Sequence, residues 1–315
     1  MKMPSQQPRT SLAILIPCYN EETGIANVVT AFKRVLPHAK IYVYDNNSSD
    51  LTAQRAQEAG AIVRAEPKQG KGHVVRRMFS DIEADIYLMV DGDETYDASV
   101  APEMVRRLEA ENLDMIIAAR KENTGEAYRF AHKFGNQLFN KALSLLFGSH
   151  YKDIFSGYRC FSKRFVKSFP ALSAGFDIET ELCIHSLEMG LPVLEIEAPF
   201  YERAQGSESK LSTVKDGLRI LWRMFVLFKE VKPAVFFGLL FSFFTALSLG
   251  LGYPLINEYL STGLVPRLPT AILTVGIFLL GFLSLICGLI LDSVSRGRRE
   301  VKRLHYLRFP SPWQD

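Results

Sequence analysis

The stretch Ile86-Tyr87-Leu88-Met89-Val90-Asp91-Gly92-Asp93-Glu94-Thr95 decides the fold class of this 315-residue chain. Its apolar run ends abruptly in two carboxylates, Asp91 and Asp93, and is short enough to predict a buried strand rather than a helix. Alternation along extended backbone directs both carboxylates to the same side, and Gly92 lets a ligand approach closely. Two hard oxygen ligands at a strand end are typical of a Mg²⁺ or Mn²⁺ site that also uses substrate phosphates; a solvated acidic turn is the alternative.

Other short apolar runs, with helical patterns between the early ones, place this strand in a larger sheet. The runs are 12–16, 41–44, 61–63 and 115–119, and the helical patterns are 23–36 and 49–59. Strands that alternate with helices predict an α/β fold with a mostly parallel sheet. Polar clusters follow three of the predicted strands, at 17–21, 45–50 and 91–93. Because ligands bind at the carboxyl ends of parallel strands, we predict one site where these clusters meet.

A basic, glycine-rich loop, Gln69-Gly70-Lys71-Gly72, precedes a helix predicted over 74–82. Glycines at a helix N-terminus can bind a phosphate, with Lys71 supplying charge. An ordinary turn is the alternative, and the Walker spacing is absent. Two later helices are predicted over 130–147 and 176–189. We interpret three carboxylates at the start of the second as capping charges, which are favourable there: Asp177, Glu179 and Glu181.

Composition excludes several classes of protein. The formal net charge of +3 does not indicate a nucleic-acid partner. The four cysteines form no C-x-x-C pair, which argues against a zinc site and a disulfide framework. Residues 1–10 are polar and predict a flexible N-terminus. They show no signal-peptide pattern, so we expect the catalytic part to stay in the cytoplasm.

The last third of the chain predicts membrane association. Residues 211–232 mix five cations with apolar residues and predict an interfacial amphipathic helix, a buried helix of a soluble protein being the alternative. Residues 233–252 and 268–291 contain no Asp, Glu, Lys or Arg, and each can cross a hydrocarbon core of roughly 30 Å. We therefore expect two transmembrane helices within 233–291, joined by an external loop at 253–267. Six basic residues in the tail 292–315 predict a multi-pass protein of the inner (plasma) membrane with both termini cytoplasmic.

Several motifs together resemble those of a known family. Pro17-Cys-Tyr-Asn-Glu21, Asp45-Asn-Asn-Ser-Ser-Asp50, Gly70-Lys-Gly72 and Asp91-Gly-Asp93 resemble, in order, the motifs of family 2 glycosyltransferases. Three further features are similar to the polyprenyl-phosphate branch, which includes dolichol-phosphate mannose synthase: Arg120, Asp153-Ile-Phe-Ser-Gly-Tyr-Arg159, and the segment from Arg203 to Leu211.

The resemblance implies a GT-A type nucleotide-sugar-binding domain over 11–210 that works with Mg²⁺ or Mn²⁺. Asp91 and Asp93 would hold the metal. Asp153 would orient the acceptor or the sugar, a structural cap before the Ser156-Gly157 turn being the alternative. Residues expected at the nucleotide are Pro17, Tyr19, Glu21, Asp45, Lys71 and Asp91. Residues expected at the acceptor phosphate are Arg120, Arg129, Lys133, Arg203, Ser209 and Lys210. Arg129 is expected there because of its charge alone, with an ordinary solvated surface charge as the alternative. The chain departs from the family at Asn46, where many relatives are acidic, and at Thr95, where dolichol-type members often have Gln.

The expected function is inverting transfer of a single hexose from a UDP- or GDP-linked sugar to undecaprenyl or dolichyl phosphate, for cell-envelope glycans or glycoconjugates. The resemblance further implies a homotetramer. One alternative is a processive polysaccharide synthase or a ceramide-type glycosyltransferase. Those enzymes usually carry Gln-x-x-Arg-Trp after the carboxylates, whereas this chain has only Leu221-Trp222-Arg223. The other alternative is a non-catalytic membrane module that binds nucleotide sugars.

Overall fold

The computed structural model describes residues 10–122, 144, 148, 151–175, 177–201, 222 and 224–309. The chain forms two compact units. The first, here called the sheet domain, comprises Met1–Leu221 and Lys302–Asp315, and the second, the helical unit, comprises Trp222–Val301.

The described part of the sheet domain is built on one seven-stranded sheet. Its strands are β1 Leu12–Cys18, β2 Lys40–Asp45, β3 Ile62–Ala65, β4 Ile86–Met89, β5 Met115–Glu122, β6 Arg159–Ser162 and β7 Val193–Phe200. Their order across the sheet is β3-β2-β1-β4-β6-β5-β7. Only β6 among these runs antiparallel to its neighbours, β4 and β5. The mostly parallel sheet expected from the sequence is therefore confirmed, with β1 and β4 adjacent at its centre.

Six helices of the described residues accompany the sheet. They are α1 Ile25–Val35, α2 Thr52–Glu58, α3 Lys71–Asp81, α4 Ala101–Ala110, α5 Lys163–Ser168 and α6 Ile178–Met189. Helix α1 shows the pattern clearly, because Ile25, Val28, Val29 and Phe32 recur at helical spacing and are all buried in the main core. The helices predicted over 23–36, 49–59, 74–82 and 176–189 are confirmed with shifted ends. The helix predicted over 130–147 lies outside the described residues, apart from residue 144.

The helical unit contains two helices that are long and apolar enough to cross a membrane by length and composition. They are α7 Pro233–Thr262 and α8 Leu268–Leu307. The loop predicted over 253–267 is wrong in its bounds, because α7 continues to Thr262 and ends at Gly263 in the left-handed conformation. Glu258 is the first charged residue after Lys232, but the helix continues past it. Of the predicted interfacial helix 211–232, residues 224–231 are helical, and 211–221 and 223 lie outside the described residues.

The end of α8 belongs to the sheet domain. Lys302 lies 2.6 Å from a carboxylate oxygen of Glu188. The hydroxyl of Tyr306 donates to Asp114 at 2.8 Å, and Arg164 donates to the other oxygen of this fully buried carboxylate at 2.6 Å. Of the tail expected over 292–315, Lys302 and Tyr306 thus contact residues of the sheet domain, and 310–315 lie outside the described residues.

Candidate active site

The polar clusters that follow β1 and β2 contact each other directly. These strands are parallel neighbours, so their carboxyl ends lie side by side. The backbone N–H of Asn20 donates to Ser48 Oγ at 2.9 Å, and the N–H of Ser49 donates to Asn20 Oδ1 at 2.8 Å. The two clusters thus form one continuous surface at the edge of the sheet.

The residues expected at the nucleotide lie along this surface with different exposure. Tyr19 is an exposed aromatic, whereas Pro17 and Glu21 are buried. Asp45 accepts the backbone N–H of Ser48 through Oδ2, while its Oδ1 is buried and has no hydrogen-bond partner among the described residues. Buried acceptors are normally paired, so a donor group of a bound ligand would satisfy this oxygen of Asp45.

Asn46 has a structural use that accounts for its departure from the family pattern. Its amide nitrogen donates to the carbonyl oxygens of Glu66 at 2.8 Å and Lys68 at 2.7 Å, and its Oδ1 accepts the N–H of Gly70 at 2.7 Å. An ionised aspartate could not make the two donated bonds. Asn46 therefore fixes the loop that leads into Lys71.

The carboxylate pair lies directly after β4. Asp93 is buried, and its Oδ1 accepts the hydroxyl of Thr95 at 2.6 Å. Asp91 lies against Gly157, and a Cβ added to that glycine would stand 2.8 Å from Asp91 Cγ. Lys71 Nζ lies 2.5 Å from Asp91 Oδ1. Both carboxylates are thus positioned by neighbours, and Thr95 is engaged with Asp93.

The donor set fits a divalent ion that takes further ligands from a substrate. The described residues contain no cluster of three or more His, Cys, Asp or Glu suited to a metal. Mg²⁺ is commonly held by one or two carboxylates together with substrate phosphates, and Asp91 and Asp93 supply such a pair. The ammonium of Lys71 is a second positive charge in the same place.

Lys71 is shared between two carboxylates. Its side chain is 9% exposed, and Nζ also lies 2.6 Å from Glu179 Oε1. Glu179 lies in the first turn of α6, as the capping interpretation expects, but its side chain also binds Lys71. Glu181 accepts backbone N–H groups of the loop before α6. Burial lowers the pKa of Lys71, but the two carboxylates outweigh it and the pKa is raised; burial raises the pKa of Glu179.

Arg120 and Asp153, both predicted site residues, form a two-pronged ion pair. Arg120 Nε lies 2.7 Å from Asp153 Oδ2, and one terminal nitrogen lies 2.9 Å from Oδ1. The guanidinium also lies over the ring of Phe200, 5.4 Å from its centroid. Burial raises the pKa of Asp153, but Arg120 outweighs it and holds the pKa below its ordinary value. Asp153 is thus an ionised partner of Arg120 rather than a general base.

Tyr96 belongs to the site and was missed by the sequence analysis. Its hydroxyl accepts the backbone N–H of Gly157 at 2.9 Å, and its ring packs against Tyr158 and Phe200. Burial raises the pKa of Tyr96 to about 12, opposed by Arg120 and assisted by nearby carboxylates. An aromatic residue directly after the carboxylate motif was the available signal, but Phe200 lies 104 positions further along the chain.

The remaining predicted acceptor residues lie outside the described residues: Arg129, Lys133, Arg203, Ser209 and Lys210. Their expected roles stay predictions. The described part of the site therefore consists of the surface at the ends of β1 and β2, the carboxylate pair and the Arg120–Asp153 pair.

Comparison with known proteins identifies the family. The model of "Glycosyl transferase family 2" matches residues 13–169. Glycosyltransferase AglJ of Haloferax volcanii is 32% identical over 300 residues, which span 94% of this chain and 98% of that protein. Dolichol-phosphate mannosyltransferase of Pyrococcus furiosus is 25% identical, over 78% of this chain and 70% of that protein.

A solved structure shares the fold. Glucosyl-3-phosphoglycerate synthase of Mycobacterium tuberculosis, crystallised with Mn²⁺, uridine diphosphate and phosphoglyceric acid, superposes with a TM-score of 0.59. It is 18% identical, and the match covers 70% of this chain and 78% of that one. At this identity the likeness shows the GT-A-like fold alone. With the near full-length match to a family member, it follows that the chain belongs to glycosyl transferase family 2.

Proposed function

We propose that this protein is a membrane-bound inverting glycosyltransferase that moves one hexose from a UDP- or GDP-linked sugar to undecaprenyl or dolichyl phosphate. One observation carries the proposal: Gly157 packs against Asp91 and donates its N–H to the Tyr96 hydroxyl, while the ring of Tyr96 packs on Phe200, over which Arg120 lies. A metal-type carboxylate and a phosphate-type arginine thus face one small region. The similarity to a dolichol-phosphate mannosyltransferase supports a lipid phosphate as acceptor.

The donor would bind along the ends of β1 and β2. The exposed ring of Tyr19 offers a surface for the base, beside the buried Pro17 and Glu21. The buried Oδ1 of Asp45, which has no partner among the described residues, would accept an N–H of the base. Such a bond is made only with a ligand present and contributes about 1.5–3 kcal/mol, because the acceptor is charged. The diphosphate then extends toward the carboxylate pair.

Asp91 and Asp93 would hold Mg²⁺ or Mn²⁺ at the diphosphate. The bound ion neutralises negative charge on the departing nucleoside diphosphate. Thr95 keeps Asp93 in one orientation by its 2.6 Å hydrogen bond. Lys71 adds a fixed positive charge beside Asp91.

The acceptor chemistry needs no strong general base. A phosphate monoester has a second pKa near 6 and is largely anionic at neutral pH. One of its oxygens would attack the anomeric carbon from the face opposite the leaving group, so that one C–O bond forms as the bond to the diphosphate breaks. Arg120 would bind this phosphate while Asp153 orients the guanidinium. We expect Arg129, Lys133, Arg203, Ser209 and Lys210 to complete the phosphate site.

The membrane location follows from the acceptor. A polyprenyl phosphate keeps its chain in the bilayer, and α7 and α8 would keep the enzyme at the same surface. We propose an inner-membrane protein with its catalytic domain and both termini cytoplasmic, assembled as a homotetramer in keeping with the family resemblance. The positive charge after the second span supports this orientation.

Substitution of the carboxylate pair tests the proposal. Asp91→Asn and Asp93→Asn should each lower transfer of radiolabelled hexose to polyprenyl phosphate by at least about 100-fold, with unfolding temperatures near that of the wild type. Asp97→Asn is the matched control, because Asp97 lies nearby but binds the N–H of Ser99 through its carboxylate. Full transfer in EDTA, or in either of the first two variants, would contradict the metal assignment.

A further inference from the structure

The group formed by Lys71, Asp91 and Glu179 contains a feature that metal binding by Asp91 alone does not explain. One ammonium contacts two carboxylates, at 2.5 Å and 2.6 Å. The carboxylates come from distant parts of the chain, the end of β4 and the first turn of α6. Glu179 has an exposure of only 3%. Burying the carboxylate of Glu179 beside Asp91 costs free energy unless its charge is compensated by a favourable interaction.

The backbone around Lys71 is held in place by close packing. A Cβ at Gly72 would lie 2.7 Å from the carbonyl carbon of Ser173, and the N–H of Gly72 donates to the carbonyl of Ala174 at 3.1 Å. The side chain of Asn46 fixes the preceding Gly70. The backbone of Lys71 is therefore fixed on both sides, and its ammonium cannot move away without breaking both ion pairs.

Glu179 is not explained as a structural carboxylate. Its Oε2 is buried and has no hydrogen-bond partner among the described residues. The N-cap residue of α6 is Asp177 rather than Glu179. Glu181, two residues further along the helix, already anchors the loop before the helix by accepting two backbone N–H groups. Glu179 also interacts electrostatically with the buried Arg159, but Lys71 is the cation that it contacts directly.

Charge balance shows what the carboxylate of Glu179 does. Lys71 and Asp91 alone would form a neutral pair, so of the two predicted metal ligands only Asp93 would add net negative charge at the cation. With Glu179 the group carries a net charge of −1, counting one ammonium and two carboxylates. This negative charge adds to that of Asp93 and strengthens the electrostatic attraction for a divalent ion.

We propose that Glu179 is a positioning residue that shares the ammonium of Lys71 and so keeps Asp91 competent to bind a divalent cation. The inference rests on the proposed function for the role of Asp91. Because Lys71 already contacts both carboxylates, it retains a partner when Asp91 engages a cation. Lys71 can then stay beside the donor diphosphate without competing for Asp91.

A set of charge-changing variants tests this balance. Free Mn²⁺ is measured by electron paramagnetic resonance during titration of the full-length protein with UDP, and separately with GDP. Glu179→Gln should weaken Mn²⁺ binding by about tenfold, in line with the loss of one nearby unit charge. Lys71→Gln should tighten it, and the Lys71→Gln/Glu179→Gln double variant should return to within about threefold of the wild type.

Nucleotide binding in EDTA separates positioning from folding. Calorimetry with UDP and GDP in EDTA should give Glu179→Gln an affinity within about twofold of the wild type. Glu181→Gln is the matched control, because it removes a buried carboxylate of the same helix that is not an ion-pair partner of Lys71. Its Mn²⁺ affinity should be unchanged.

Two results would overturn the inference. One is unchanged Mn²⁺ binding in Glu179→Gln, and the other is equal weakening of nucleotide binding with Mn²⁺ and in EDTA, which a merely structural role produces. Failure of the proposed function looks different. The variants would then show the expected differences in Mn²⁺ affinity, but the wild type would not transfer sugar to polyprenyl phosphate.

Discussion

Replacing Gly157 by alanine should disable the active site while the sheet domain stays folded. A Cβ there would stand 2.8 Å from Asp91 Cγ, whereas ordinary contact begins at 3.4 Å. The carboxylate must therefore move by at least the difference, 0.6 Å. Misplacing a reacting group by about 1 Å can cost roughly 100-fold in rate. We expect transfer to fall by about ten- to a hundredfold, because Asp91 would leave both Lys71 and the metal position.

Thermal unfolding measured beside the transfer rate distinguishes this effect from misfolding. The carboxylate of Asp91 can rotate aside, so Gly157→Ala should cost only about 0.5–1.5 kcal/mol of stability. Gly72→Ala is the contrasting control, since its Cβ would meet the backbone of Ser173, which cannot rotate aside. It should lose about 1–3 kcal/mol from overpacking. Transfer within twofold of the wild type in Gly157→Ala, or destabilisation like that of Gly72→Ala, would refute the reasoning.

Two further predictions concern the acceptor side. Tyr96→Phe keeps the ring packing but removes the hydroxyl at Gly157, so kcat should fall about tenfold with nucleotide affinity unchanged. Tyr158→Phe is the control and should keep its kcat, because it removes a buried hydroxyl without a partner among the described residues. Equal losses of kcat in the two variants would contradict a role of Tyr96 at the site. Asp153 has a lowered pKa, so its stabilising contribution is complete above its unfolded pKa and is lost as the pH falls through the folded value, below about pH 4. Asp153→Asn should cost about 2–3 kcal/mol at pH 7 by leaving Arg120 unpaired and should flatten this acid loss in denaturation curves; an unchanged curve would contradict the ion pair.

Local patterns predicted the part of the fold that contains the carboxylate pair. The run 86–90 and its two aspartates lie within one short stretch, so strand, turn and ligand chemistry could be inferred together. Strand β6 was not predicted. Its residues, Arg159–Ser162, follow a motif interpreted for function, and its antiparallel position between β4 and β5 depends on pairing across the sheet.

Contacts distant in sequence account for the parts of the site that were missed. Glu179 was interpreted from its position at a helix start, and nothing near it in the chain indicates Lys71, 108 positions earlier. Tyr96 likewise joins the site through Gly157 and Phe200. Asn46 appeared as a departure from a family pattern, whereas its three hydrogen bonds show that it holds a loop.

The product formed from a defined acceptor tests the central claim most directly. Membranes containing the protein are incubated with UDP- and GDP-linked hexoses and with undecaprenyl or dolichyl phosphate, and the lipid fraction is analysed by mass spectrometry. We predict a polyprenyl phosphate carrying one hexose, formed by the wild type and absent with Asp91→Asn. Transfer to ceramide, a product with several hexoses, or no product with any nucleotide sugar would contradict the account.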